Sequence, residues 1–365
     1  MRRPDALLTW FDQHRRDLPW RWTSDPYKIW LSEVMLQQTR VETVLPFYNR
    51  FLERFPTVED LARAELEEVL TLWSGLGYYR RARQLHAAAR RIAELGAFPS
   101  TLEGLLGLPG VGAYTAAAVA SIAFGVAAPV MDGNVERVLS RCLALGEDPK
   151  ASGPRKRLLA AAAELLDPRR PGDSNQALME LGATLCSPRR PKCLLCPLRP
   201  GCRASLEGDP ESYPLPKVKR ESERHRLLVA VVEDGAGVLL FRRSEDSTLL
   251  AGTWELPWVT LERDGAVETA DPAAELLRRY GGLWSLGPRE AGVRHGITYR
   301  DLEVDVHRAE LAWGGEVREG MAAGFFDEAG RAGLPLSSLV GKVLGSLSAR
   351  PGAEAPARRF RSRRR

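Results

Sequence analysis

Glu33 and Asp132 are the carboxylates of this chain whose surroundings suggest chemistry. Glu33 lies in WLSEVMLQQT, three residues after Trp30 and one before Val34. That spacing puts it at the edge of an apolar helical stripe. A partly buried carboxylic acid there keeps its proton near neutral pH and can protonate a leaving group. The plainer account is a solvated helix glutamate. Asp132 lies in PVMDGNVERVL, immediately before another helical run. It reads as an N-cap, and a carboxylate held ionised by a helix N-terminus can also face a developing cation. One neutral acid and one ionised carboxylate are what is needed to break a C–O or C–N bond at a sugar carbon through an oxocarbenium-like state.

Two other stretches carry chemistry. In GLPGVGAYTAAAVASIAFG, Gly110 and Gly112 bracket a valine just before an alanine-rich helix. Such a helix–hairpin–helix turn points backbone N–H groups at an anion and can hold a phosphate without reading sequence; a tight corner between helices is the alternative. In CSPRRPKCLLCPLRPGC, Cys186, Cys193, Cys196 and Cys202 fall within seventeen residues. Four thiols so close in a chain without a secretory segment read as a metal site. Zinc and an iron–sulfur cluster both accept four thiolates, and the spacing leaves the two open. Cys142, within an apolar helical run, reads as a core filler.

The elements that must position these groups fall into two kinds. Residues 1–205 read as helices. DPYKIWLSEVML opens with an N-cap aspartate and a proline at the first helical position, and ARQLHAAARRIAELG ends at a glycine. Residues 206–226 are polar and proline-bearing and read as a linker. From 227 to 348 the pattern becomes strand-like. RLLVAVVEDGAGVLLFRR carries a hairpin signal around Asp-Gly, and AAELLRRYG reads as a short helix. The expectation is a multidomain chain, all-α and then α+β, with a disordered basic tail at 349–365.

Charge is uneven along the chain. Residues 1–220 hold 31 Lys and Arg against 25 Asp and Glu, residues 221–357 hold 15 against 22, and RRFRSRRR closes the sequence. A basic first part and a basic tail fit a nucleic-acid partner. No apolar run is long enough to span a membrane. The N-terminal stretch has no apolar signal region, so a cytoplasmic monomer is expected, associated with the nucleoid if the source is bacterial.

With these residues assembled, the chain resembles the MutY-type adenine DNA glycosylases of the helix–hairpin–helix superfamily. LPWR, DPYKIWLSEVMLQQT, LWSGLGYYRRARQLH, LPGVGAYTA, MDGNVERVLSR, NQALMELGA and the cysteine loop match that family in order over about residues 10–205. The resemblance implies a six-helix barrel with a helix–hairpin–helix and a second helical lobe carrying a [4Fe–4S] cluster on Cys186, Cys193, Cys196 and Cys202. It implies double-stranded DNA containing adenine opposite 8-oxoguanine or guanine as substrate. Glu33 would protonate adenine, Asp132 would stabilise the oxocarbenium ion, and Tyr114 and Asn134 would orient them. Trp20, Arg21 and Gln176 would line the adenine pocket. Gln38, Leu76 and Tyr78 would wedge into the duplex, and Gly110 and Gly112 would hold a backbone phosphate. Where endonuclease III relatives carry an imine-forming lysine, this chain has Tyr114, so a monofunctional enzyme is expected.

Residues 227–348 resemble the MutT-like (Nudix-like) C-terminal domain of that family, through LLAGTWELPW and HGITYRDLEVDV. The Nudix glutamates are missing, since AAELLRRYGG keeps only Glu275, and an 8-oxoguanine recognition domain without hydrolase activity is implied. The family's Phe-Ser-His turn aligns with Ile297, Thr298 and Tyr299, or in a shifted alignment involves His295. Thr298 and Tyr299 are therefore candidate DNA contacts. The rival readings are a thymine-mismatch or endonuclease III-like glycosylase, a non-catalytic damage-binding protein and a nucleotide-pool hydrolase.

Overall fold

The computed structural model describes residues 3–215, 221–244, 246–247, 250–312 and 322–348. The segment 349–365, read above as a basic tail, lies outside the described residues. The chain divides into two compact units, Met1–Lys219 and Arg220–Arg365.

The described part of the first unit is helical throughout. Asp25 caps the helix Pro26–Leu36 by accepting from the Tyr27 amide at 2.9 Å, and Pro26 occupies the first helical position. Tyr27 and every residue from Ile29 to Met35 are buried. Large side chains on all sides, Trp30 and Leu31 among them, hold this helix in the interior. Each contributes about 1.5–3 kcal/mol of burial. The helix Ala113–Phe124 is lined with alanines and lies beside it. Small side chains let other helices close in.

Two residues of the helix Pro171–Thr184 set where the next helix begins. A Cβ on Gly182 would lie 2.6 Å from the Asn134 Cβ, so only glycine permits this approach. Asn175 is fully buried. Its Nδ2 donates to Ser121 Oγ and to the Ala128 carbonyl, both at 2.8 Å, and its Oδ1 accepts from the Val130 amide at 3.1 Å. That fixes the segment leading into Asp132, at the start of the helix Gly133–Leu143.

The described strands of the second unit are β1 (Glu223–Val231), β2 (Glu233–Asp234), β3 (Gly237–Arg242), β4 (Trp254–Glu255), β5 (Trp258–Arg263), β6 (Ala266–Val267), β7 (Leu283–Ile297), β8 (Arg300–Ala312) and β9 (Ala323–Phe326). One sheet runs β6-β5-β1-β8-β7, with β1 and β8 parallel. The other holds β2, β3, β4 and β9. Strand alternation builds two cores on β1. Leu227, Val229 and Val231 pack with Val304, Val306 and the helix Ser338–Ser348. Leu228, Ala230 and Val232 pack with Val259, Leu276 and Tyr280. This unit is α+β.

Two expectations change. The strand β1 starts at Glu223, inside the stretch read as linker. The hairpin signal around Asp-Gly yields only the short pair β2–β3, with Glu233 opposite Val238. The long apolar run before it belongs to the other sheet, because β1 takes β5 and β8 as its partners.

Candidate active site

Glu33 sits on the buried helix Pro26–Leu36 and is 6% exposed. The Tyr114 hydroxyl donates to Glu33 Oε2 at 2.6 Å. Burial pushes the Glu33 carboxyl up to about 7. The Tyr114 hydrogen bond and the Arg21 charge oppose that rise, and the Asp132 charge adds to it. An acid with that proton affinity is half-protonated at neutral pH. Burial also pushes the Tyr114 phenol up, and the Glu33 and Asp132 carboxylates reinforce it, so the hydroxyl stays a neutral donor.

Asp132 caps the helix Gly133–Leu143. Its Oδ1 accepts from the Val135 amide at 2.7 Å, and its Oδ2 accepts from Asn134 Nδ2 at 3.0 Å. The cap is not the whole electrostatic account. Burial is the largest influence and leaves this carboxyl above the ordinary aspartate range, with the Val135 and Asn134 hydrogen bonds and the Arg137 charge pulling it only part of the way back. Ionisation of Asp132 therefore depends on those donors as well as on the helix N-terminus.

Both carboxylates line one cavity of about 970 Å³, together with Trp20, Arg21, Gln38, Gly110, Gly112, Tyr114, Asn134 and Gln176. Ten of the residues singled out from the sequence thus converge. Trp20 is largely buried, edge-on to Tyr48 at 5.1 Å. Gly110 has φ +72°, and a Cβ there would meet the Gln84 Cβ at 2.4 Å; around Gly112, the N-cap of the helix Ala113–Phe124, the space is open.

The wedge residues separate. Tyr78 is 47% exposed and has φ +51°, whereas Leu76 is 5% exposed. Leu76 is a packed side chain and not a protruding wedge: the turn that lifts Tyr78 out turns Leu76 into the interior. Neither residue lines the cavity. Thr298 and Tyr299 form the two-residue tip between β7 and β8, in the second unit. Thr298 has φ +56° and donates its hydroxyl to the Ile297 carbonyl at 2.7 Å. The Tyr299 carbonyl accepts from the Glu223 amide at 3.0 Å.

Sequence reasoning missed two neighbours of the carboxylates, although both lie in the quoted NQALMELGA. Glu180 has a fully buried side chain. It accepts from Arg16 Nε at 2.8 Å and from Arg21 Nη2 at 2.5 Å. Burial pushes its carboxyl up, but the two guanidinium groups outweigh that and hold it at about 2. Met179 Sδ lies 3.2 Å from the Tyr114 hydroxyl. An apolar-looking helix gave no signal for either.

The four cysteines line a second, small cavity of about 20 Å³, and Cys142 joins them there. Cys142 also packs against the hydrophobic core of the first unit, as a core filler does. None of the five cysteines forms a disulfide. Among the described residues, no three potential ligand side chains converge tightly enough to hold one metal ion. The buried Arg141 ties the loop down. It donates to Cys186 Sγ at 3.3 Å and to the carbonyls of Ser187, Pro188 and Tyr213 at 2.7, 2.9 and 3.0 Å. Arg137 Nε donates to the Cys186 carbonyl at 2.8 Å, and its Nη2 donates to Asn134 Oδ1 at 2.9 Å. Four thiols around one cavity, with guanidinium donors beside them, suit an anionic thiolate-held group.

Among the described residues, no helix is long and apolar enough to cross a membrane. Residues 31–163 match the HhH-GPD superfamily of base excision DNA repair proteins. The adenine DNA glycosylase of Mus musculus is 43% identical over 84% of this chain and 70% of its own length. That of Homo sapiens is 40% identical over 84% of this chain and 66% of its own length, so the chain spans about two thirds of these relatives. Both alignments cover more of the chain than the first unit alone holds. The solved structure of a thermostable thymine-DNA glycosylase superposes with a TM-score of 0.52 at 33% identity, over 56% of this chain and 95% of that one. The chain belongs to the MutY-type adenine DNA glycosylases, a branch of the helix–hairpin–helix superfamily of base excision repair proteins.

Proposed function

We propose that this protein hydrolyses the N-glycosidic bond of adenine opposite 8-oxoguanine or guanine in duplex DNA and leaves the strand intact. The carrying observation is Glu33: a buried acid pushed up to about 7, hydrogen-bonded to Tyr114 and lining the same cavity as Asp132. The adenosine is flipped out of the stack into that cavity. Glu33 gives its proton to adenine N7. The C1′–N9 bond then breaks, and its electron pair leaves with adenine. The Asp132 carboxylate faces the resulting oxocarbenium ion, with Asn134 and the Val135 amide holding it in place. Water adds at C1′, and the ionised Glu33 takes its proton. Trp20, Arg21 and Gln176 enclose the base.

No lysine stands among the described residues lining the cavity, and a phenol forms no imine, which supports a monofunctional enzyme. Cys186, Cys193, Cys196 and Cys202 would hold a [4Fe–4S] cluster that staples the loop after the helix Pro171–Thr184. Gly110 and Gly112 offer amides to a backbone phosphate, and exposed Tyr78 and Gln38 meet the duplex. The Nudix-like second unit offers the Thr298–Tyr299 tip to 8-oxoguanine.

The test is single-turnover excision on a duplex with one adenine opposite 8-oxoguanine, read with and without alkali. Strand breakage only after alkali supports the proposal. Breakage without alkali overturns the monofunctional part. Release of thymine opposite guanine, with adenine untouched, would move the target to that of the structurally similar thymine-DNA glycosylase.

A further inference from the structure

Tyr114 has one hydroxyl proton and two acceptors in reach, Glu33 Oε2 at 2.6 Å and Met179 Sδ at 3.2 Å. One O–H cannot serve both at full strength. The three side chains come from three helices, Pro26–Leu36, Ala113–Phe124 and Pro171–Thr184. We propose that Met179 is a positioning residue for the acid: its thioether accepts the Tyr114 O–H hydrogen bond whenever Glu33 Oε2 is protonated, and gives up that hydrogen bond to Oε2 whenever Glu33 ionises, the phenol keeping its proton throughout. This rests on the glycosylase reading above.

The argument follows from acceptor strength. Ionised Glu33 draws the phenol proton into a short charge-assisted bond, and a thioether is too weak an acceptor to compete. Once Oε2 carries a proton, it becomes a donor toward the Tyr114 oxygen. The phenol proton must then turn elsewhere, and a buried donor with no partner is strongly disfavoured. The Met179 sulfur is the acceptor within reach. It lets Glu33 change protonation state without leaving Tyr114 unsatisfied in either one. A sulfur suits the position because a stronger acceptor would hold the phenol in both states.

The other charged groups around Glu33 are Asp132 at the start of the helix Gly133–Leu143 and Arg21 in the turn Pro19–Arg21. Glu180, next to Met179, is already paired with Arg16 and Arg21. The Tyr114 hydroxyl bonds to Glu33 and Met179 and to none of these groups.

Two measurements on the full chain test this. The first is the pH dependence of single-turnover adenine excision opposite 8-oxoguanine, comparing midpoints and not heights. Met179→Leu keeps the volume and removes the acceptor. It should move the midpoint down by about 0.5–1 pH unit, a ~3–10-fold loss of proton affinity at Glu33. In a Tyr114→Phe background the same substitution should produce no further shift. An unchanged midpoint in Met179→Leu, or an equal shift without the Tyr114 hydroxyl, overturns the relay.

The second needs no activity: the Met179 methyl signal in a proton–carbon NMR titration. It should move with the Glu33 midpoint in the natural chain, and stay still in Glu33→Gln and in Tyr114→Phe. A Met179 signal indifferent to pH overturns the relay. A chain that releases no adenine yet shows the coupled titration overturns only the glycosylase reading.

Discussion

Asn134 bridges Asp132 and Arg137: its Nδ2 donates to Asp132 Oδ2 at 3.0 Å while its Oδ1 accepts from Arg137 Nη2 at 2.9 Å. The arginine can only donate, so it fixes which way the amide points. The Asp132 carboxylate is thereby held by a chain that ends, through Arg137 Nε, on the Cys186 carbonyl. Asp132 is at once a cap and a charge, and the two roles can be separated.

Asp132→Asn keeps an oxygen that can accept from the Val135 amide, and asparagine caps helices about as well as aspartate. Its amide nitrogen then faces the fixed Asn134 Nδ2 donor, so stability should fall by only about 1–2 kcal/mol, while excision falls by roughly 10²–10³-fold as the charge facing the cation is lost. Thermal unfolding and single-turnover excision check this together. A small loss of excision alongside that modest change in stability would leave Asp132 with only its structural role.

Glu33 should dominate the pH behaviour. If Glu33 is the acid of the proposed reaction, excision needs its protonated form, and the rate should fall as pH rises through about 7. Glu33→Gln should still bind mispaired DNA but lose roughly 10²–10⁴-fold in excision.

The same carboxyl affects folding. Its folded-state affinity is raised, from an ordinary 4.5 to about 7, so the folded protein binds this proton more tightly than the unfolded chain does. The associated stability is fully present below pH 4.5 and is lost as pH rises through 7. Glu33→Gln removes a penalty of up to about 3 kcal/mol above that range. The variant should therefore gain stability over the natural chain at pH 8 and gain little near pH 4. Denaturant unfolding at the two pH values measures it, and an equal difference at both would mean Glu33 is not raised.

The two turn glycines should behave differently. At Gly110, φ is +72° and a Cβ would collide with Gln84, so Gly110→Ala should destabilise the protein by more than about 1 kcal/mol. Gly112→Ala meets open space at an ordinary φ of −91° and should fold normally. If this turn holds a phosphate, Gly112→Ala should weaken binding to any duplex, matched or mispaired, because the added methyl stands between amide and phosphate. Thermal unfolding and duplex binding at fixed salt separate the two effects.

Arg141 is a buried cation whose donors satisfy the carbonyls of Ser187 and Pro188 in the cysteine loop and of Tyr213 beyond it. Arg141→Leu leaves those acceptors without partners and should cost about 2–4 kcal/mol. It should also speed the reaction of the loop thiols with a thiol reagent. Unaltered thiol reactivity would show that the loop holds itself.

The sequence alone determined much about this protein. Helical periodicity, the Asp25-Pro26 start and the change of pattern after residue 226 are local properties, written in neighbouring residues. So are the cysteine spacing and the glycine turn, and the ordered motifs carried the family. Pairing was not local. The run 227–231 looked like half of a hairpin, but β1 takes β5 and β8 as partners, because sheet partners are chosen by burial across distant strands. Leu76 and Tyr78 stand two residues apart in one turn, and only the folded backbone decides which one is buried. Local pattern singled out Glu33 and Asp132, but not that they line one cavity. It did not show that Glu180 is held by Arg16 and Arg21, or that Met179 reaches Tyr114. Those facts depend on how three helices approach each other, to within the space of a single Cβ at Gly182, and no spacing along one chain encodes that distance.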